Sequence, residues 1–378
     1  MTETVELKPS YRNVYLVGKV KLRDDSFKID VQSNSGYTYN SVNFGVETAE
    51  GNVVYVELIG GYAKNPLPIK AMTKNNTEIE VNWADRNNEK IIEQIADFRL
   101  YKASLAENEV KNFLSQYDFI AYLKSKLVDG MEVNVRGQMK FSVYKGEEQR
   151  KIEITGISLP YQKKDKETGE LLPVEYRATF TQTILIDESS LNITSEDEEL
   201  GETILRAYAV DYIGKYEGEQ IKKYALFPFP LTVKLDGKGA IIAERLFTVD
   251  DDAVTEITVE GDIIEGYDKS EDVDIEITDD IQELIDLGLY TKEDVLKRVQ
   301  IRGNKVSKLV FVRPSVTKSE EGVAEIKRNF DKYKPSDLYF FEQAINGEEE
   351  ENTSHNEDSI GEEDSKVSDE DWLKELGM

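Results

Sequence analysis

Residues 131–143 read MEVNVRGQMKFSV. Apolar and polar side chains alternate along the whole stretch, which predicts one long β-strand with a single buried face. A strand of this length has to coil, and Gly137 lies where a bend is expected. The chain then turns at residues 144–147 and returns through residues 152–159. The alternation of inward and outward side chains shifts by one residue at positions 155–156, which indicates a β-bulge. The stretch therefore predicts a strongly coiled hairpin.

The residues before this hairpin complete the pattern of a small barrel. Residues 14–22 alternate as a strand, and residues 42–46 and 54–58 alternate on either side of a turn. Apolar residues at helical spacing follow over 113–128 and stop at a glycine. This order of strand, hairpin, helix, long strand and closing strand predicts a five-stranded barrel of the OB type over residues 11–160.

The second half repeats this order more loosely. Alternation predicts strands at residues 178–186, 204–213, 224–235, 257–264 and 308–316. Helical spacing is seen at residues 279–287, 291–298 and 320–333. The sequence thus predicts a mainly β chain with inserted helices, organised as two tandem OB-type five-stranded barrels at 11–160 and 174–316, a helix and connector at 317–341, and a disordered acidic tail at 342–378.

The composition narrows the chemistry that the chain can perform. The 378 residues include no cysteine and one histidine, His355, and they carry a net charge of -28. Disulfides, thiolate zinc sites and cysteine nucleophiles are therefore excluded, and no imidazole is available within a folded core. No glycine-rich phosphate loop with Lys-Ser/Thr occurs either. We expect a protein that is not an enzyme, with no cofactor and no bound metal.

Two acidic clusters leave one enzymatic alternative open. Residues 250–252 and residues 272–276 each bring several carboxylates together, as a two-metal nuclease requires. Solvated acidic loops have the same composition, and that interpretation is preferred.

The start of the chain, Met1 to Ser10, is polar, and no apolar run approaches the ~18 residues that a membrane span requires. We expect a soluble protein of the cytoplasm, or of the host cell cytoplasm if it is phage-encoded, with no membrane partner.

Charge is distributed unevenly along the chain. Residues 1–160 hold 22 acidic and 21 basic residues, residues 161–341 hold 39 and 24, and residues 342–378 hold 14 and 2. The last segment has too few apolar residues to form a core, which predicts disorder. Its tip is either a chance helical segment or a docking peptide for a partner protein, with these side chains: Asp369, Glu370, Asp371, Trp372, Leu373, Leu376 and Met378.

Aromatic and basic side chains share the outward face of the predicted first barrel. They are Tyr15, Lys19, Lys21, Arg23, Tyr37, Tyr39, Tyr55, Arg136, Lys140, Tyr144, Lys145, Arg150 and Lys151. Unpaired nucleic acid is bound by stacking bases on aromatic rings while cations follow the phosphates. Outward tyrosines also simply cover sheets and outward lysines solubilise them, but for the whole set a stacking groove is favoured. Trp83, in a predicted strand at 79–83, is interpreted as a core residue.

Residues 13–20, NVYLVGKV, resemble the first strand of bacterial and phage single-stranded DNA-binding proteins. Residues 121–137 resemble that family's helix and fourth-strand entry, and residues 42–46 and 151–159 resemble its second and closing strands. The acidic tail with an apolar tip is similar to the family's partner-binding tail. This chain departs from the family in its second barrel, in an insertion at 66–111, and in a tip that does not end in Pro-Phe.

The resemblance implies a non-catalytic, sequence-tolerant single-stranded DNA-binding protein, with partners in phage replication, recombination or DNA repair recruited through the tail. The alternative is an acidic protein-interaction module, or a DNA mimic that blocks a partner's DNA site, because a net charge of -28 is unfavourable for coating DNA. The acidic second half is expected to bind DNA weakly or to bind protein instead.

Overall fold

The structure is a computed structural model that describes residues 6–107, 109–144, 147–165, 168–216, 219–267, 278–291, 305–319 and 322–341. The acidic tail at 342–378, with all of its tip residues, lies outside the described residues. So does the helix predicted at 291–298, apart from Thr291.

The described part of the first half folds into ten strands and two short or medium helices. The strands are β1 (Arg12–Lys21), β2 (Phe27–Gln32), β3 (Thr38–Ala49), β4 (Asn52–Tyr62), β5 (Ile69–Met72), β6 (Glu78–Val81), β7 (Tyr101–Ala106), β8 (Glu109–Phe113), β9 (Glu132–Tyr144) and β10 (Glu147–Ser158). The helices are α1 (Glu89–Ile92) and α2 (Gln116–Lys126).

Five of these strands close a barrel. β1 pairs antiparallel with both β9 and β3, and β3 pairs antiparallel with β4. β4 runs parallel to β10, which pairs antiparallel with β9 and so returns to β1. The barrel encloses a buried apolar core that includes Leu16, Phe44 and Val135. The prediction of a mainly β chain with a closed five-stranded barrel of the OB type is confirmed.

Local features of this barrel follow the sequence closely. The register of β9 and β10 shifts between Ile154 and Gly156, which is the predicted bulge. The β3–β4 hairpin turns at Gly51, whose φ of 76° lies in the left-handed region that glycine adopts without strain. α2 begins after Ser115, whose side chain accepts a hydrogen bond from the backbone N–H of Asp118.

The insertion between β4 and α2 forms a small unit against the barrel. β5 and β6 form a hairpin, and β7 extends the barrel sheet by running parallel to β10. The unit has its own apolar cluster, which consists of Ala71, Val81, Ile95, Leu100 and Leu114. Trp83 does not belong to this cluster. The strand ends at Val81, and Trp83 begins a single 3-10 turn instead, so the interpretation of Trp83 as a core strand residue is wrong.

The second half contains the strands β11 (Arg177–Ile186), β12 (Glu202–Tyr216), β13 (Glu219–Lys234), β14 (Thr255–Tyr267) and β15 (Lys305–Pro314), followed by the short strands β16 (Val316–Lys318), β17 (Ala324–Ile326) and β18 (Arg328–Asn329). Its helices are α3 (Ser195–Leu200), α4 (Gly239–Phe247) and α5 (Asp279–Asp286). Pairing follows the order β11, β12, β13, β15, β14 and back to β11, with β13 and β15 parallel. The two-barrel organisation stays a prediction, with which these pairings agree.

The two halves are joined along one edge and at one buried carboxylate. β1 pairs antiparallel with β11 from Arg12↔Gln182 to Val17↔Arg177. Asp211 on β12 reaches into the first half, where its carboxylate accepts hydrogen bonds from the Arg12 guanidinium at 2.9 Å and the backbone N–H of Phe141 at 2.9 Å. Because a buried carboxylate is stable only when it is paired, this contact favours one arrangement of the two halves.

The helix predicted at 320–333 is not formed in its described part, residues 322–333. β16 and β17 form a hairpin instead, with Gly322 at a φ of 85°, and β18 pairs with β14 at Ile257↔Arg328. Pairing with β14 satisfies backbone N–H and C=O groups of this segment, which in a helix would have bonded to each other instead. The prediction of a helix here is wrong.

The last described residues cover the outward side of β12 and β13. The Leu226 N–H donates to the carbonyl of Tyr339 at 2.9 Å, and the Phe340 ring meets Tyr208 edge-on with centroids 5.0 Å apart. Phe341 is buried and stacks on Phe227 at 5.7 Å. Tyr333, Tyr339 and Phe340 therefore cover the face that the equivalent strands of the first half leave open, whereas Phe341 turns into the core beside Phe227.

Candidate nucleic-acid interface

The outward side of β3 and β4, here called the strand face, is open around Tyr55. This tyrosine is 49% exposed. Its cross-strand partner is Gly45, where a Cβ atom would lie 3.5 Å from the ring atom Cε1 of Tyr55. The Arg23 guanidinium lies 5.5 Å from the centroid of the same ring. An exposed ring with a cation beside it is the arrangement that base stacking uses.

A cleft of 610 Å³ surrounds Tyr55, and most of its basic side chains are ion-paired. Arg150 contacts Glu265 at 2.9 Å and Lys151 contacts Glu57 at 3.2 Å. At the neighbouring edge Lys21 contacts Glu47 at 2.9 Å, and the hydrogen bond to that carboxylate raises the pKa of Lys21. These three cations are already partly neutralised, which reduces what each can contribute to binding a phosphate.

A second cavity, of 440 Å³, lies between the barrel and the insertion, and we call it the insertion cavity. Its lining includes Lys70, Trp83, Phe98, Arg99, Gln138 and Lys140. Phe98 is 71% exposed, and its ring centroid lies 5.6 Å from the Arg99 guanidinium. The cavity thus combines aromatic rings with several cations.

One wall of the insertion cavity is an aromatic cluster. The Trp83 ring lies 4.9 Å from Tyr62 and 6.1 Å from Tyr117, with the Arg86 guanidinium 4.3 Å from the Trp83 centroid. Arg86 is held by Asp118 at 2.7 Å. The Tyr117 hydroxyl donates to Asp30, and burial together with this hydrogen bond raises the pKa of Tyr117 well above its ordinary value. The wall is rigid and the tyrosine remains protonated at neutral pH.

The register of β9 and β10 connects the two cavities. Lys140, which lines the insertion cavity, is the cross-strand partner of Lys151, which lines the cleft around Tyr55. Glu153 of the insertion cavity likewise pairs with Glu57 of the cleft. Partners on adjacent strands lie only about 5 Å apart, so the cleft and the insertion cavity adjoin on the outer surface of the barrel. We call the two together the groove.

Tyr15 and Arg136 lie beside the far end of this groove. They are cross-strand partners on β1 and β9, and Tyr15 is 38% exposed. Arg136 precedes Gln138 on the same outward face of β9. Within the described residues, neither Arg136 nor Lys19 forms an ion pair with a carboxylate. Both cations remain available to a phosphate.

Two of the predicted binding residues are not brought to the groove. Tyr39 is fully buried, because β2 pairs along one edge of β3 and α2 packs over the same end of the strand. Its assignment to an exposed stacking face is wrong. Tyr37 lies in the turn before β3, about 25 Å along the strand from the partner of Tyr55. The Tyr144 side chain and Lys145 are outside the description, so their assignment stays a prediction.

Phe98 and Lys70 were missed by the sequence interpretation, and Trp83 was misassigned. The signal was present as an Asp97-Phe98-Arg99 tripeptide in which an aromatic and a basic residue adjoin. It was not decisive, because single exposed aromatic residues are common on protein surfaces. Only the packing of the insertion on β10 brings these residues beside Lys140.

The described residues contain neither a cluster of metal ligands nor a helix that could span a membrane. No group of three or more His, Asp or Glu side chains in this part of the chain is arranged to hold a metal ion. Within the same described ranges, no helix has the length and apolar character that crossing a membrane requires.

Comparison with known proteins finds similarity only at the level of solved structures. No protein-family model and no curated protein sequence matches the chain. The chain is similar to the wild-type single-stranded DNA binding protein from Thermus aquaticus, with 10% identity, 82% of this chain and 93% of that chain covered, and a TM-score of 0.34. A deletion mutant of that protein gives 9% identity, 82% and 95% coverage, and a TM-score of 0.33. At these scores the likeness is too distant to assign a function, and the OB-type assignment rests on the strand pairings.

Proposed function

We propose that this protein binds single-stranded DNA, without catalysis and with little sequence preference, along the groove of the first barrel. The observation that supports the proposal is the pair of adjoining cavities, with exposed rings at Tyr55 and, beside them, at Tyr15, and with cations between these rings. Stacking on such rings tolerates every base, because each base presents a π-face. The near-neutral first half permits this contact in spite of the acidity of the whole chain.

The site residues proposed for this activity line the groove or lie on the outward surface beside it. They are Tyr15, Lys19, Lys21, Arg23, Tyr55, Arg136, Lys140, Arg150 and Lys151. The activity belongs to DNA replication, recombination or repair, where single strands are exposed. A phage origin is supported by the sequence resemblance alone.

The test is a titration of the intrinsic fluorescence with oligo-dT, alongside a duplex of the same length. We expect quenching and saturation with oligo-dT, and at least tenfold weaker binding of the duplex. Affinity should fall with rising salt, because each cation that meets a single-strand phosphate adds about 0.7 to the slope of log affinity against log salt. A chain that leaves oligo-dT unbound, but blocks DNA binding by a second protein, would instead be the DNA mimic.

We further propose that the acidic tail competes with DNA for the groove and recruits partner proteins through its tip. Residues 342–378 carry 14 acidic and 2 basic residues, and tethering gives them a high effective concentration near the groove. Deleting residues 342–378 should tighten binding to oligo-dT at low salt, and the gain should fade as salt screens the charges. Equal affinities at low salt would contradict competition.

Recruitment is tested separately at the tip. Trp372→Ala should abolish capture of replication or recombination proteins while leaving the affinity for oligo-dT unchanged. Retained capture would remove the docking role from Trp372.

A further inference from the structure

We propose that the insertion cavity is a second base-binding subsite, which takes a nucleotide of the same single strand beyond those held at Tyr55. The inference rests on the proposed function of the groove and extends it to a part of the chain that the resembled family lacks. Phe98 would stack on the base, and Arg99 and Lys70 would meet the phosphates. The cavity volume of 440 Å³ lies in the range of about 300–1,000 Å³ that sites for small organic ligands occupy.

Phe98 is exposed in a segment that is otherwise held firmly. Ile95 and Leu100, on either side of it, are buried in the cluster of the insertion. The backbone N–H of Ala96 donates to the carbonyl of Met72 at 2.8 Å, and Thr73 forms a β-bridge with Ile95. The ring therefore projects from an anchored loop, so that the loop loses little conformational freedom when a base stacks on it.

The charges of the insertion cavity differ from those of the cleft around Tyr55. Glu153 is the one acidic residue in its lining, against the cations Lys70, Arg99 and Lys140, of which Lys140 contacts Asp211 at 3.8 Å. Asp97, two residues before Arg99, contacts Lys102 at 3.1 Å instead. Within the described residues, Lys70 and Arg99 form no ion pair, so the insertion cavity is the more cationic part of the groove.

The position of the insertion cavity beside the cleft indicates which kind of ligand it binds. Lys140 at its inner edge is paired in register with Lys151 of the cleft, and the two cavities share the outer surface of β10. A free nucleotide would occupy either cavity alone. A single strand occupies both, and its phosphates would pass the adjacent lysines between them.

Trp83 allows this subsite to be observed directly. The chain has two tryptophans, Trp83 and Trp372, so Trp372→Phe leaves the tryptophan in the cavity wall as the sole one. In this background we expect saturating oligo-dT to change the Trp83 emission. Adding Phe98→Ala should weaken binding of oligo-dT by about 5- to 140-fold, the range of stacking energies per base converted at tenfold per 1.4 kcal/mol. Arg99→Ala should lower the salt slope by about 0.7.

Val110→Ala is the matched control. Val110 belongs to the same insertion and is 68% exposed, but it does not line the cavity, so its loss should leave affinity and salt slope unchanged. If the Trp372→Phe chain binds oligo-dT with Trp83 emission unchanged, and Phe98→Ala binds equally well, the subsite is refuted while the proposed function stands. If the parent chain itself leaves oligo-dT unbound, the proposed function fails and the subsite fails with it.

Discussion

The strand face of the first half and the corresponding face of the second half have opposite surroundings. On β3 and β4, Tyr55 stands open to solvent with Gly45 beside it. On β12 and β13, Tyr339 and Phe340 of the chain itself pack on Leu226 and Tyr208. The two halves have the same order of strand pairing, yet a segment of the chain covers part of this face only in the second half, where Tyr212 remains 47% exposed.

Charge follows the same division. The first half, residues 1–160, holds 22 acidic and 21 basic residues, whereas residues 161–341 hold 39 and 24. A near-neutral surface can approach a phosphate backbone, and a strongly acidic surface repels it. The comparison shows that strand order determines where a face lies, while surface side chains and covering segments determine what that face can bind.

The largest expected effect comes from removing the core ring that anchors the end of the covering segment. Phe341→Ala removes a buried ring and should lower the free energy of unfolding by about 3–5 kcal/mol, because a cavity remains where the ring packed. Urea denaturation followed by circular dichroism measures it. Phe330→Ala, at a ring that is 53% exposed, should stay within about 0.5 kcal/mol of the parent. A small effect of Phe341→Ala would contradict the packing of this ring in the core of the second half.

A smaller effect is expected when exposed tyrosines of the two halves are compared. Tyr55→Ala should weaken binding of oligo-dT by about 1–3 kcal/mol through the loss of one stacked base. Tyr212→Ala, at a similarly exposed tyrosine on β12, should leave the affinity unchanged. Fluorescence anisotropy of a labelled oligo-dT measures both. Equal losses of affinity for the two variants would mean that the second half also contacts DNA, which would contradict the difference between the two halves.

The smallest effect separates two lysines on one strand. Lys19 and Lys21 both lie on the outward face of β1, but Lys21 contacts Glu47 at 2.9 Å and Lys19 forms no ion pair with any described carboxylate. Lys19→Ala should therefore lower the salt slope of oligo-dT binding by about 0.7, and Lys21→Ala should lower it by less. Affinities measured across a range of salt concentrations give the slopes. A larger change for Lys21 would contradict the view that its pairing reduces its contact with DNA.

Alternation of side chains was enough to predict the barrel. The long strand through Val135, the bulge before Gly156 and the turn at Gly51 all follow from period-two burial and from the residues that turns require. These features depend on neighbours along the chain or across one hairpin, and such neighbours are visible in a sequence.

Tertiary contacts decided which outward residues are available. Tyr39 has the alternation of an outward residue but is buried, because β2 and α2 enclose that end of β3. Residues 322–333 have helical spacing, but β17 within them pairs with β16 and β18 pairs with β14. Trp83 and Phe98 reach the groove only because the insertion packs on β10, and Lys21 and Arg150 are neutralised by carboxylates distant in sequence. A local pattern determines which face of an element is apolar. The residue that covers or pairs with a given side chain is usually far away along the chain, and a local pattern contains no information about such long-range contacts.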